Sequence, residues 1–141
     1  MDRKGSAVWQ GSIREGKGEV STESGALKSV PYTFSGRFES GPGTNPEELL
    51  GAAHAACFSM AFSGQLGGEK LTAERIATTA TVTIEKVDGG FGITHVHLAM
   101  EAKIPGVDKA TFYRLAGAAK AVCPVSKRFD TKMTVAAKVG D

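Results

Sequence analysis

Two cysteines, Cys57 in "GAAHAACFSMAF" and Cys123 in "AKAVCPVSK", are the residues of this chain best suited to covalent chemistry. A thiol acts as a nucleophile only as its thiolate, and an arginine stabilises a thiolate well because its charge is permanent. Two cysteines on two helices could form a reversible pair if the helices pack. The competing reading is a pair of unrelated small core residues, a common place for free cysteine. Neither belongs to a C-x-x-C pair, and two thiols so far apart in sequence make no secreted disulfide framework, so any disulfide is expected to be transient.

The histidines are weaker candidates. His54 precedes Cys57 by three positions, so the two share a helical side and the imidazole could act as a base; a packed or interfacial histidine is the preferred reading. His95 and His97 share a strand face, but with His54 and the cysteines they match no compact ligand motif, so no metal is expected. Phe34, Phe38, Phe58, Phe62 and Phe129 read first as core, and some could line a channel for an organic substrate.

The elements that must position these residues follow from the pattern. "AVWQGSI" and "EVST" flank a turn and read as a hairpin; "PYTFSGRF" alternates aromatic and polar residues and reads as a strand with Arg37 opposite the aromatic face. "NPEELLGAAHAACFSMAF" then opens a helix with Asn45 as N-cap, Pro46 at the first position and Glu48 three residues after the cap; Gly67 and Gly68 are expected to follow its far end. "IATTATVTIEKV", the turn "DGG" and "FGITHVHLAMEAKI" form a second hairpin. "DKATFYRLAGAAKAV" places Phe112, Leu115, Ala119 and Val122 on one helical face, and Pro124 ends it just after Cys123. "FDTKMTVAAKV" alternates as a last strand, completing an α+β order.

At 41% hydrophobic and 23% charged over 141 residues, the composition fits a single soluble domain, 1–141. A net charge of +2 without a basic run points to neither nucleic acid nor a membrane surface. The basic N-terminus has no apolar stretch behind it, so no secretory signal is expected, the mature chain is expected to start near Met1, and the location to be cytoplasmic.

Several of these stretches carry a resemblance. "GKGEVSTESGAL", "RFE", "GTNPEELLGAAHAACFSMAFS", "KVDGGFGIT", "PGVD" and "FYRLAGAAKAVCPVSK" together resemble the osmotically inducible protein C (OsmC) group of the OsmC and organic hydroperoxide resistance superfamily of thiol peroxidases. The likeness runs along nearly the whole chain in the same order. It implies an α+β fold built as an intertwined homodimer, with antiparallel sheets wrapped around central helices. It implies a peroxidase that reduces organic hydroperoxides, and hydrogen peroxide less well, in oxidative and osmotic stress defence. No cofactor or metal is implied, only an external thiol or dithiol reductant, such as one of lipoyl type.

Carried over residue by residue, Cys57 resembles the peroxidatic cysteine, Cys123 the resolving one, Arg37 the thiolate-stabilising arginine and Glu47 the carboxylate that positions it. The sister branch carries its arginine in an earlier loop, which makes Arg14 a competitor, although Arg14 also reads as a solvated hairpin residue. That branch has tyrosine where His54 stands, which speaks against an essential histidine. Glu47 has a plain role too, since an acid in the first helical turn suits the helix dipole. The alternative to the peroxidase is a non-enzymatic redox-sensing or ligand-binding domain on the same fold. Ten residues separate Glu47 from Cys57, about 15 Å along one helix. Unless the helix breaks near Gly51, this favours composite sites in a dimer.

Overall fold

β1 (Gly5–Gln10) and β2 (Lys17–Thr22) form the first hairpin, and β3 (Val30–Tyr32) pairs with the other edge of β2, giving an antiparallel sheet in the order β1-β2-β3. A computed structural model describes residues 1–127, and the strand expected over 129–139 lies outside them together with Phe129. The chain divides into two compact units. The first comprises Met1–Ala52 and Ala80–His97, the second Ala53–Thr79 and the chain from Leu98 on.

In the first unit one rung of the sheet runs Trp9, Gly18, Tyr32. The absent side chain at Gly18 lets the two flanking aromatic rings come together, their centroids 5.4 Å apart. Past Tyr32 the expected strand does not continue. Phe34–Phe38 is a short helix, α1, so Arg37 stands on a helical turn and not on a strand face. The cause is local: Thr33 caps the turn by accepting from the Gly36 amide at 3.0 Å, and the Arg37 amide donates to the Thr33 carbonyl at 3.2 Å. A side chain at Gly36 would meet the Pro42 carbonyl oxygen at 2.8 Å, so only glycine lets the following loop close over α1. Phe34 and Phe38 are four apart, a same-face spacing in a helix as in a strand, and their rings pack at 4.9 Å.

α2 (Pro46–Gly68) begins as expected, with the Asn45 side-chain oxygen accepting from the Glu48 amide at 2.8 Å. It continues through both terminal glycines. The stop is a Schellman turn in which Leu71 N–H donates to the Leu66 carbonyl and Lys70 N–H to the Gly67 carbonyl, with Lys70 in the left-handed region at φ 59°. β4 (Arg75–Val87) and β5 (Gly90–Lys103) are the second hairpin. α3 (Lys109–Val122) is capped by Asp108, whose carboxylate accepts from the Thr111 amide at 2.9 Å.

The second unit holds a true core. Phe58, Phe62 and Leu66 recur every fourth residue of α2, and they pack with Ile104, Leu115, Ala119 and Cys123. Phe62 meets Phe112 edge to face at 5.6 Å. On α3 the buried line is Leu115, Ala119, Cys123; Val122, expected on that face, is exposed. The first unit differs. Its buried residues are Gly16, Gly18, Glu47 and Gly51, so every large apolar side chain in it retains solvent exposure.

Candidate active site

Each unit contributes one pair of chemically capable residues. In the first, α1 presents Arg37 to Glu47 in the first turn of α2. Arg37 Nε donates to both carboxylate oxygens at 3.2 Å, and Nη2 donates to Glu47 Oε1 at 2.7 Å. The carboxylate is nearly buried and the guanidinium about one-third exposed, with relative areas of 9% and 37%. A forked contact of this kind fixes the guanidinium plane as well as its charge. The ring of Phe38 supports the same group from 5.0 Å. Asn45 ties the two elements together, since its side-chain amide donates to the Gly36 carbonyl at 3.4 Å while its oxygen caps α2. Beside Arg37 lies a pocket of about 220 Å³ lined by Trp9, Ile13, Tyr32, Phe34 and Phe38. Arg14 lies over the ring of Phe34, its guanidinium carbon 5.2 Å from the centroid.

In the second unit Cys57 and Cys123 are both free thiols with their sulfurs 2.9 Å apart. Cys57 is half-buried on α2; Cys123 is wholly buried as the C-cap of α3, its amide donating to the Ala119 carbonyl at 2.9 Å. Burial raises the Cys57 pKa, and the shared hydrogen bond with Cys123 raises it further. Burial would raise Cys123 too, but hydrogen bonds from Cys57 and Ser126 outweigh it and lower this thiol. Within this unit Cys57 is therefore the less acidic thiol of the pair. A cation brought to Cys57 would reverse that order.

His54 stands one turn before Cys57, nearly buried, with Nε2 2.7 Å from Ser126 Oγ. Burial lowers its pKa and favours the neutral ring. Ser126 went unnoticed in the sequence because 72 positions separate it from its partner. His95 and His97 are exposed on β5 with rings stacked at 6.4 Å. Among the described residues no group of three or more His, Cys, Asp or Glu is arranged to hold a metal, and no helix is long and apolar enough to cross a membrane.

Set beside known proteins, residues 39–138 match the profile of the OsmC-like protein family. Peroxiredoxin OsmC of Escherichia coli is 53% identical over 135 residues, covering 96% of this chain and 94% of that protein. The organic hydroperoxide resistance protein of Xanthomonas axonopodis pv. citri is 34% identical over 129 residues, 87% of each chain. Among solved structures, an OsmC-like protein of unknown function from Vibrio cholerae superposes with a TM-score of 0.73 at 16% identity, covering 94% of this chain and 96% of that one. OhrB of Bacillus subtilis gives 0.65 at 23% identity, covering 90% and 92%.

Proposed function

We propose that this chain, which belongs to the OsmC-like protein family, is a cysteine-based peroxidase that reduces organic hydroperoxides in oxidative stress defence. The observation that carries the reading is the pair of free thiols 2.9 Å apart, one half-exposed and one buried. The Cys57 thiolate attacks the distal peroxide oxygen, the O–O bond breaks, an alcohol leaves, and Cys57 becomes a sulfenic acid. Cys123 condenses with it to a disulfide, releasing water, and an external thiol or dithiol, of lipoyl type in this reading, reopens the bridge. The aromatic pocket beside Arg37 supports an organic substrate over bare hydrogen peroxide, since it offers an apolar group apolar side chains to rest against.

The working unit in this proposal is a homodimer of one peroxidase domain, 1–141, with Arg37 and Glu47 of one subunit serving Cys57 of the other. Two features support it. The first unit buries no large apolar side chain of its own, as expected of a surface that a second copy covers. On α2, Ala53, Ala56, Met60, Ser63 and Gly67 are exposed at alternating spacings of three and four, a slim stripe on which another helix can lie close.

Purified protein should consume cumene hydroperoxide continuously with a dithiol present. Oxidation that stops after one equivalent would instead mark a sensor, and no specific oxidation would mark a binding domain. Arg37→Ala should raise the Cys57 pKa and slow its attack by about tenfold or more. The alkylation rate of Cys57 against pH measures this directly. An unchanged profile, or the same change from Arg14→Ala, would assign the cation elsewhere.

A further inference from the structure

The peroxide chemistry leaves one buried, titratable group without a task. His54 is nearly buried on the helix that carries Cys57, and its Nε2 lies 2.7 Å from Ser126 Oγ. Ser126 belongs to the turn that leaves α3 at Cys123. Its amide donates to Cys123 Sγ at 3.5 Å, and the next amide, of Lys127, donates to the Cys123 carbonyl at 3.1 Å. Two side-chain contacts join this turn to α2, the thiol pair and the His54–Ser126 hydrogen bond, beside the packing of Cys123 and Val125 on the core.

The first of these holds is lost in the reaction. When Cys57 becomes a sulfenic acid, its sulfur gains an oxygen and the hydrogen bond between the thiols is broken. Pro124 supplies no amide to replace it. The His54–Ser126 bond involves neither sulfur, so it still ties the Cys123 turn to α2 at that stage. Resting on the peroxidase reading above, we propose that His54 is a positioning residue for disulfide closure, holding the Cys123 turn through Ser126 while Cys57 is oxidised. In the step it serves, Cys123 sulfur supplies the electron pair that forms the S–S bond. The S–O bond of Cys57 breaks, and the Cys123 proton leaves with the hydroxide as water, so no further oxidant is needed. The Ser126 amide, aimed at Cys123 Sγ, favours the thiolate that makes this attack.

The test is a single turnover with one equivalent of cumene hydroperoxide and no reductant, in which dimedone-trapped sulfenic acid and disulfide are followed by intact mass. For His54→Ala and Ser126→Ala the ratio of closure rate to first-oxidation rate should fall by about five- to tenfold. Excess peroxide should drive more Cys57 to sulfinic acid in both. His54→Gln, whose carboxamide reaches the place of Nε2, should restore most of the ratio. The double alanine variant should be no slower than either single one, because both remove the same bond. Ser126→Ala alters no core side chain and keeps the test decisive if His54→Ala folds poorly. A wild-type ratio in Ser126→Ala, or a His54→Gln protein as slow as His54→Ala, would overturn the assignment. Failure of the wild-type protein to oxidise Cys57 would overturn the peroxidase reading itself, which is a different result.

Discussion

Cys57→Ser is expected to lose hydroperoxide consumption by roughly a thousandfold or more, since no other group can take the place of the nucleophile. Cys123→Ser should behave differently. It keeps the thiol that attacks, so one equivalent of peroxide is reduced per subunit and Cys57 stops as a sulfenic acid, which further peroxide carries to sulfinic acid. Peroxide consumption by ferrous–xylenol orange, with and without dithiol, separates the two variants. Sustained turnover by Cys57→Ser would end the peroxidase reading in its present form. A single turnover by Cys57→Ser with none by Cys123→Ser would exchange the two cysteine roles, which matters because burial holds Cys57 as the less acidic thiol of the pair when no cation is beside it.

The second large effect comes from mixing subunits. Glu47 and Cys57 are ten positions apart on α2, which runs from Pro46 to Gly68 without the break at Gly51 that would have let the two approach. Glu47→Ala, by freeing the guanidinium it holds in a three-bond contact, should be nearly inactive, as should Cys57→Ser. If the sites are composite as proposed, a heterodimer of the two carries both lesions in one site and leaves the other site whole. An equal mixture at exchange equilibrium should therefore recover about a quarter of wild-type activity, given half heterodimers with one good site each. Native mass spectrometry verifies exchange. No recovery after verified exchange would place each site within one chain.

Much of the secondary structure was legible because its signals are short in range. Asn45, Pro46 and Glu48 announce the start of α2, and two alternating runs around "DGG" announce β4 and β5. The misread element, α1, has an aromatic pair at 34 and 38 that suits a strand and a helix equally, and the capping Thr33 tips the balance. The end of α2 was placed at Gly67 and Gly68, yet backbone bonds from Lys70 and Leu71 close it, with a lysine in the conformation that glycine usually supplies. The site divides the same way. The cysteines stand out by scarcity, and the resemblance draws attention to Arg37 and Glu47, which do meet, whereas the bond from His54 to Ser126 depends on α2 meeting the end of α3, which no local pattern encodes.

The unequal burial of the two sulfurs also sets the direction of regeneration. Cys123 is shielded completely and Cys57 only in part. In the proposed cycle an incoming thiolate meets the partly exposed Cys57 sulfur, so the mixed disulfide with the reductant is expected there, with Cys123 as the leaving group. The Ser126 amide, aimed at Cys123 Sγ, is placed to meet the thiolate that departs. Under the peroxidase proposal, the sulfur hidden from peroxide is then the one expelled on regeneration.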